Sequence, residues 1–468
     1  MTAPTATQTV VNSATADRAL KVVDRIAEQL ADPAHAQNVV RAELGTRSNS
    51  DHLAVMPPDL GHGQLGAAML YGELARNDST KRALAHGHIA HAAKALATSP
   101  DHGLISGPAA LLAVAQTCAN GGNDYADLRH VLAQRLATRH KKRLSTDPRH
   151  RHAHPGTGRR NYDWIGGLAG TTRILLDSAD DPHENDPEVT STLEASLRHL
   201  TELATPIVVD GHNVPGWWVP ADQAGDPLRA RYPDGLFDLG MAHGITGPLT
   251  ALCSALNHGR EVEGQRNAIE HITRWLLDWL LHDDAGPYWP ALVSLSQQTA
   301  RQRDTSAYTR NAWCYGSPGV AAAVHHAGVT LRRPDWCRTA ITVLNAALAR
   351  DQDQWELEGP TLCHGYAGFL QILTRTALAS DDPSLRRGCR RLTDILLSYA
   401  DSQADFTFRR LITTTTAGTP IEGPPLALNA PGMLEGAAGI ACALLATTRA
   451  RDDHTQGNHP WDRFLGLA

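Results

Sequence analysis

The sequence predicts an all-α protein in which seven pairs of helices close into a double ring, an α/α toroid. Two observations carry this prediction. A short glycine signature occurs seven times, at intervals of 44 to 77 residues, and each copy opens an apolar run of helical length. Amphipathic stretches with the 3.6-residue helical period lie between the copies. An open stack of repeats would need polar capping repeats, which the sequence does not show, so we expect a closed ring and a single domain over residues 1–468.

The glycine signature reads Gly-x-x-Gly in six copies, and Ala110 replaces the second glycine in the other copy. Glycine suits a chain that enters a helix where another backbone approaches closely. No β-branched run precedes the copies and no Lys-Ser/Thr pair follows them, which argues against dinucleotide-binding and phosphate-binding loops. The copies begin at Gly63, Gly107, Gly167, Gly244, Gly316, Gly365 and Gly436.

The amphipathic stretches are predicted to form the outer helices. In residues 17–30 the helical period places five apolar residues on one face of the predicted helix: Leu20, Val23, Ile26, Ala27 and Leu30. Similar faces occur in residues 128–140, 267–281, 337–351 and 389–400. Because the runs that follow the glycine signatures are more apolar, we expect those to form the inner ring.

Two segments interrupt the repeat pattern. Residues 139–160 are basic and rich in histidine, proline and glycine, and they are predicted to form a loop. Residues 207–238 are rich in glycine, proline, tryptophan and aspartate, which predicts a small insert with a short hairpin or a lid. Either segment is a candidate surface for a leader peptide, although a solvated loop is the simpler interpretation.

Composition excludes several functional classes. The 468 residues carry 43 basic and 49 acidic side chains, a net charge of −6 that gives no electrostatic basis for nucleic-acid binding. No apolar run reaches the roughly 20 residues that a membrane span needs, and the N-terminal residues lack the pattern of a secretory signal. An odd number of cysteines, seven in all, spread over a long chain favours a reducing compartment and a cytoplasmic protein.

Candidate metal ligands lie directly before two glycine signatures. Cys314 comes two residues before Gly316, and Cys363-His364 comes directly before Gly365. Zinc binds cysteine and histidine tetrahedrally, and three protein ligands leave a fourth position for a substrate. The alternative is that both cysteines are small buried apolar side chains. The equivalent placement of the two cysteines in neighbouring repeats favours the zinc site.

Three longer motifs resemble those of a known family, the lanthionine cyclases of the nisin-cyclase type. They are WCYGSPG at 313–319, CHGYAG at 363–368 and AHGITGP at 242–248, and the resemblance extends from about residue 60 to residue 445. It implies an α/α toroid with Zn²⁺ bound by Cys314, Cys363 and His364. It further implies site residues at Asp163, His243 and Arg310.

The activity that the resemblance implies is addition of a peptide cysteine to dehydroalanine or dehydrobutyrine in the same peptide. His243 suits a general acid that protonates the resulting enolate, because its ordinary pKa lies near neutrality. Asp163 would orient this imidazole, and Arg310 would stabilise negative charge or hold Asp163. Without the resemblance, all three residues have structural interpretations as helix caps or ion-pair partners. Trp313 and Tyr315 flank the first zinc cysteine and are candidates for the pocket wall.

The implied partners are a dehydrated precursor peptide and a separate dehydratase, since only 62 residues precede the first signature. Three alternatives stay open. A related enzyme would add glutathione or another external thiol to dehydrated proteins and would keep every site residue. Prenyltransferase subunits also bind zinc on an α/α barrel, but their Asp-x-Cys motif does not fit Cys363-His364. A non-catalytic scaffold in a biosynthetic complex would not need His243 and Asp163.

Overall fold

A computed structural model describes residues 9–45, 59–99, 101–121, 123–146, 156–181, 186–304, 310–413, 424–449 and 460–467. Its helices are α1 (Ser13–Gln29), α2 (Pro33–Gly45), α3 (Gln64–Leu74), α4 (Arg82–Ala95), α5 (Pro108–Cys118), α6 (Ala126–Thr146), α7 (Arg159–Tyr162), α8 (Leu168–Asp180), α9 (Pro187–Glu202), α10 (Asp226–Arg231), α11 (Thr246–Asn257), α12 (Gln265–Asp278), α13 (Leu295–Ala300), α14 (Ser317–Thr330), α15 (Pro334–Ala349), α16 (Tyr366–Ser380), α17 (Pro383–Ser398) and α18 (Ala437–Thr448). The strands are β1 (Ile207–Val209), β2 (His212–Val214), β3 (Leu236–Asp238), β4 (Leu281–Asp283), β5 (Gly286–Tyr288), β6 (Leu292–Ser294), β7 (Arg409–Ile412) and β8 (Leu426–Asn429).

The inner ring consists of the seven helices that the glycine signatures open, which are α3, α5, α8, α11, α14, α16 and α18. Neighbours in this series pack against each other, and α18 packs back against α3, so the ring is closed. Nearly every residue of these helices is buried. The predicted closed ring and the inner position of the more apolar helices are therefore confirmed.

The outer ring consists of α4, α6, α9, α12, α15 and α17, each packed on the inner helix that precedes it in the chain, together with α1. Helix α1 packs on α18, so the first helix of the chain covers the last inner helix. Four of the five apolar residues predicted to share one face of residues 17–30 are buried. The prediction was wrong for Leu20, which is 37% exposed, because Ala19 occupies the buried face with Val23 and Ile26.

Backbone hydrogen bonds join the seven glycine turns in a closed circle. Each turn donates an amide hydrogen to a carbonyl of the next turn, at distances between 2.7 and 3.2 Å. The circle runs from Ala242 N to Cys314 O, Cys314 N to Cys363 O, Cys363 N to Leu434 O, Leu434 N to Gly61 O, Leu60 N to Ile105 O, Leu104 N to Ile165 O and Ile165 N to Ala242 O. All the side chains that precede the inner helices therefore lie at one end of the toroid.

In four of the seven copies, the second glycine of the signature lies where its helix meets a backbone carbonyl of the preceding turn. A Cβ atom on Gly368 would lie 2.0 Å from the carbonyl oxygen of Leu362, and one on Gly439 would lie 1.8 Å from that of Met433. Neither distance is compatible with a side chain. This close approach explains why these four copies carry glycine at the second position.

The predicted loop at residues 139–160 was wrong at both ends. Residues 139–146 belong to α6, and Arg159–Tyr162 form the short helix α7. Residues 147–155 lie outside the described residues. Helix α6 continues because His140 extends its buried face: its ring nitrogens contact Ser196 Oγ at 2.8 Å and Thr171 Oγ1 at 2.7 Å. The amphipathic period therefore extends beyond the point at which the composition becomes basic.

The insert at residues 207–238 contains the predicted hairpin, in which β1 pairs antiparallel with β2. Beyond the hairpin, α10 precedes β3, and β3 pairs with β6 to bring residues 292–294 next to the insert. Two further antiparallel pairs, β4–β5 and β7–β8, were not predicted. None of the helices in the described ranges has the length and apolar character that a membrane crossing needs.

Candidate metal centre and active site

The position directly before each signature glycine carries a chemically active side chain in five of the seven turns. These residues are His62, His243, Tyr315, His364 and Glu435. The circle of turn-to-turn hydrogen bonds places them at the same end of the toroid. A single position of the repeat therefore supplies much of the candidate site.

Cys314, Cys363 and His364 form a compact group of potential ligands. Their sulfur and nitrogen atoms all lie within 4.8 Å of one another. The backbone bond from Cys314 N to Cys363 O, 3.2 Å long, holds the two neighbouring turns together. A group of two thiols and one imidazole matches the three-ligand set of an open zinc site. The residues present therefore fit zinc.

The electrostatics of this group favour a thiolate. A hydrogen bond with Cys363 is the main cause that holds the pKa of Cys314 well below its usual value, and His364 and Arg310 act in the same direction. Burial alone would lower the pKa of His364, but the charge of Glu435 and the hydrogen bond with Cys314 raise it to about 9.

Two carboxylates beside His364 were missed by the sequence analysis. Glu435 Oε1 lies 3.4 Å from His364 Nδ1, and Glu358 Oε2 lies 3.4 Å from His364 Nε2. A metal-binding histidine usually donates its second ring N–H to a carboxylate, which fixes the orientation of the ring. Arg410 lies 3.3 Å from the other oxygen of Glu435. The place of Glu435 directly before Gly436, equivalent to His364 before Gly365, was the available signal.

His243 and Asp163 lie together, as the sequence analysis proposed. His243 Nδ1 is 2.7 Å from Asp163 Oδ2, and Asp163 is fully buried while the His243 side chain is 38% exposed. Burial acts to lower the pKa of His243, but the hydrogen bond and charge of Asp163 outweigh it and raise the pKa above its ordinary value. The partly exposed imidazole therefore favours its protonated form.

Arg310 pairs with Glu358 rather than with Asp163, so the alternative that it holds Asp163 was wrong. Its Nη1 atom lies 3.2 Å from Glu358 Oε1. Glu358 thus connects Arg310 with His364, and the guanidinium stands near the thiol of Cys314, whose pKa it helps to lower. The structure places Arg310 beside the cysteine–histidine group.

A polar triad of Tyr315, Arg159 and the fully buried Asp238 lies near His243. Tyr315 Oη donates to Asp238 Oδ2 at 3.0 Å, and Arg159 Nη1 donates to both at 3.0 Å. The ring of Tyr315 stands 6.2 Å from that of His243, centre to centre. Of the three members of the triad, only Tyr315 was a candidate from the sequence. Its neighbour Trp313, the other candidate for the pocket wall, is fully buried in the core instead.

The other five cysteines lie in or next to helices and form no disulfide bonds, and all seven are free. Cys253, Cys389 and Cys442 are buried, whereas Cys118 and Cys337 are partly buried. Burial raises the pKa of Cys253 and of Cys389 to about 12, so these thiols stay protonated at neutral pH. Only Cys314 and Cys363 share a site with other chemically active residues.

The family model of lanthionine synthetase C-like proteins matches residues 54–460. The chain belongs to this family. One relative of this lanthionine synthetase C-like chain, the nisin biosynthesis protein NisC of Lactococcus lactis subsp. lactis, is 24% identical over 213 residues, which are 45% of this chain and 48% of that protein. The alignment thus spans about half the length of the relative. A solved structure of a nisin cyclase matches with a TM-score of 0.70 and 18% identity, over 92% of this chain and 96% of its own. This match shows that the family member described here has the same fold.

Proposed function

We propose that this protein is a zinc-dependent lanthionine cyclase, which adds cysteine thiolates of a peptide to dehydroalanine or dehydrobutyrine in the same peptide. The observation that carries the proposal is the group of Cys314, Cys363 and His364 on two successive turns, of which the Cys314 turn adjoins the turn of His243. Membership in the lanthionine synthetase C-like family supports the reaction class.

Cys314, Cys363 and His364 are the proposed zinc ligands. When bound, zinc would supply a position for the substrate thiol and favour its thiolate, since a free thiol has a pKa of about 8.5. A zinc-bound imidazole keeps one ring N–H, so with Nε2 as the ligand atom Glu435, which lies beside Nδ1, would keep the ring of His364 oriented. The donor set supports this assignment because its three ligand atoms already lie within 4.8 Å of one another.

The reaction consumes no net proton, because the substrate thiol loses one when it becomes a thiolate and the α-carbon gains one. The thiolate sulfur forms a bond to the β-carbon, and the π electron pair of the carbon–carbon double bond shifts to give the enolate. His243 then delivers a proton to the α-carbon as a general acid. Asp163 supports this role because it holds Nδ1 of His243 and favours the protonated ring.

Arg310 is the proposed stabiliser of the enolate oxygen. Its guanidinium is about a third exposed, faces the cysteine–histidine group and is held by Glu358. A positive charge that is fixed before the reaction stabilises the negative charge that develops during bond formation.

The proposed substrate is a ribosomally made precursor peptide whose serines and threonines a separate dehydratase has already converted. The proposed compartment is the cytoplasm, since all seven cysteines are free and the ligand thiols need a reducing environment. One toroidal domain would carry the whole activity, and the insert at 207–238 and the segment at 139–160 are candidate surfaces for the leader of the precursor.

A thiol-counting assay tests the proposal. The purified protein is incubated with a peptide that holds one cysteine and one dehydroalanine, and the remaining thiol is then alkylated and measured by mass spectrometry. We expect loss of alkylatable thiol without a change in peptide mass. Cys363→Ala should abolish this loss, whereas Cys389→Ala, which removes a buried cysteine outside the site, should not.

Glutathione in a parallel reaction separates the two thiol sources. A peptide that gains the mass of glutathione while its own cysteine stays alkylatable would contradict the cyclase and support addition of an external thiol. An unchanged peptide in both reactions, with about one zinc bound per chain, would support a non-catalytic scaffold.

A further inference from the structure

Residues 460–467 occupy the centre of the toroid. Trp461, Phe464 and Leu465 are almost completely buried, and so are the charged residues Asp462 and Arg463. The segment is thus enclosed by the inner ring, where a ring of seven helices would otherwise leave a channel.

Polar contacts fix this segment to several inner helices. Arg463 Nη1 pairs with Asp177 of α8 at 2.7 Å, and its Nη2 donates to the carbonyl of Ala113 in α5 at 3.1 Å. Asp462 accepts hydrogen bonds from Gln371 and Arg375 of α16. A buried charge persists only when it is paired and hydrogen-bonded, so these contacts define one position for the segment.

Two tryptophans connect the segment to the candidate active site. Trp164 Nε1 donates to the carbonyl of Phe464 at 2.8 Å, and Trp313 Nε1 donates to the carbonyl of Leu465 at 2.8 Å. Both indoles are fully buried. Trp164 directly follows Asp163, and Trp313 directly precedes Cys314. The adjacent carbonyls of Phe464 and Leu465 therefore hold Trp164, beside Asp163, and Trp313, beside Cys314.

Gly466 adds a steric contact to these hydrogen bonds. Its φ angle is +69°, and a Cβ atom on it would lie 3.2 Å from Cζ2 of Trp164 and 3.0 Å from Cγ2 of Thr250. The segment therefore packs directly against the indole of Trp164. A small displacement of the segment would therefore move the ring of Trp164. Because Trp164 directly follows Asp163, such a movement would also shift the backbone of Asp163.

We propose that residues 460–467 are a positioning element of the active site, which sets the separation of Asp163 and Cys314 through the indoles of Trp164 and Trp313. The proposal rests on the function proposed above, because Asp163 holds the proposed proton donor His243 and Cys314 is a proposed zinc ligand. The segment itself touches no reacting atom. It acts on metal affinity through Trp313 and on proton delivery through Trp164.

The first experiment removes one indole N–H at a time with Trp164→Phe and Trp313→Phe. Trp289→Phe is the matched control: this buried indole donates to the carbonyl of Leu276 at 2.7 Å, outside the site. Cobalt is titrated into the metal-free proteins, and the absorption of the cysteine-bound ion reports affinity without turnover. We expect Trp313→Phe to weaken cobalt binding about tenfold, as for other residues that support metal ligands, and to shift its absorption bands.

The same variants are assayed for kcat and KM with the peptide that holds one cysteine and one dehydroalanine. We expect Trp164→Phe to lower kcat about tenfold, with KM and cobalt affinity unchanged. If both variants behave like Trp289→Phe in both assays, the positioning role is wrong. If wild type binds cobalt through the cysteines but does not cyclise, the proposed function fails, while the cobalt titration still decides whether Trp313 positions Cys314.

A second variant displaces the segment and leaves both indoles intact. Gly466→Ala introduces a methyl group against Trp164, and Gly259→Ala is its control, since Gly259 has a similar φ of +75° and no atom within 4 Å of the added Cβ. Both substitutions share the cost of the left-handed backbone, so a difference between them reports the contacts of the added methyl group with Thr250 and Trp164. We expect kcat to fall only in Gly466→Ala; equal kcat values would overturn the proposal.

Discussion

The Nδ1 atom of His243 lies 2.7 Å from Oδ2 of Asp163, and Oδ1 of Asp163 accepts hydrogen bonds from the backbone amides of Gly166 and Gly167 at 2.8 and 2.6 Å. An ionised carboxylate only accepts hydrogen bonds, so Nδ1 carries a proton in this pair. The Nε2 atom is therefore the nitrogen that can exchange a proton with substrate. The backbone of the third glycine turn fixes the carboxylate, and the carboxylate fixes the ring.

Asp163→Asn should move the pH dependence of the reaction. Asp163 raises the pKa of His243, and a general acid is active below its pKa, so kcat/KM falls as pH rises through that value. Without the negative charge the pKa falls, and the decline should begin at a lower pH. The pH profile of kcat/KM measures this shift.

Asp180→Asn is a matched control for that substitution. Asp180 pairs with Nδ1 of His258 at 2.8 Å, and the His258 side chain is 38% exposed, as is that of His243. This pair lies at the C-terminal ends of α8 and α11, whereas the candidate site lies at the N-terminal ends of the inner helices. Asp180→Asn should therefore leave the pH profile unchanged. A profile of Asp163→Asn that coincides with that of wild type would mean that His243 is not the titrating acid.

His243→Asn should separate proton transfer from metal binding. Among the residues that the structure describes, His243 forms no side-chain hydrogen bond with Cys314 or Cys363. The zinc content of the variant should therefore stay at the wild-type value. Loss of a general acid lowers kcat by about 10²–10⁴-fold. Turnover assays and zinc analysis of the same purified sample test the expected loss of kcat and the unchanged zinc content. A variant that keeps wild-type kcat would exclude His243 as the acid.

Glu435→Gln should weaken zinc binding without removing a ligand. Glu435 is buried and lies 3.4 Å from Nδ1 of His364, where its charge raises the pKa of the imidazole. Loss of a carboxylate that orients a metal-binding histidine reduces affinity by about 10–100-fold. Competition with a chromophoric chelator measures the change, and Glu261→Gln, at the surface, is the control. Equal affinities would show that Glu435 does not support the metal centre.

The sequence was sufficient to predict the toroid because the same physical requirement recurs in most of the repeats. Several inner helices start where a backbone approaches too closely for a side chain, as Gly368 and Gly439 show. Such a requirement leaves a local signature that does not depend on distant residues. The pairing of α1 with α18 leaves no such signature, because it depends on where the ring closes.

The candidate site was predictable only in part for a related reason. Cys314, Cys363, His364 and His243 occupy repeated positions before glycine turns, so their proximity follows from the ring. Glu358 lies outside any repeated position, and Arg159 reaches Asp238 and Tyr315 across 79 and 156 residues of sequence. Such contacts arise from the three-dimensional packing of loops, which periodicity does not encode.

Gly368→Ala should destabilise the toroid, whereas Gly87→Ala should not. A Cβ on Gly368 would lie 2.0 Å from Leu362 O, so the helix would have to move away from the preceding turn. Overpacking of this kind costs about 3 kcal/mol of unfolding free energy. Gly87 lies within α4 with no atom within 4 Å of the added Cβ. Alanine there should raise the free energy of unfolding by about 0.5–1 kcal/mol. Urea denaturation measures both changes; equal midpoints would contradict the close-approach explanation.

Asp177→Asn should strongly destabilise the centre of the toroid. The Asp177 side chain is fully buried and pairs with Arg463 at 2.7 Å and also with Arg173, so its neutralisation would leave two buried guanidinium groups without their shared anion. Removal of one member of a buried ion pair costs about 3–5 kcal/mol. Asp394→Asn is the control, because Asp394 pairs with Arg18 where both side chains are more than half exposed, and such pairs contribute only about 0–1 kcal/mol. The urea midpoint should fall steeply for Asp177→Asn at an unchanged slope, since the surface exposed on unfolding stays the same. If the two variants have similar midpoints, the segment that fills the ring is not held by these charges.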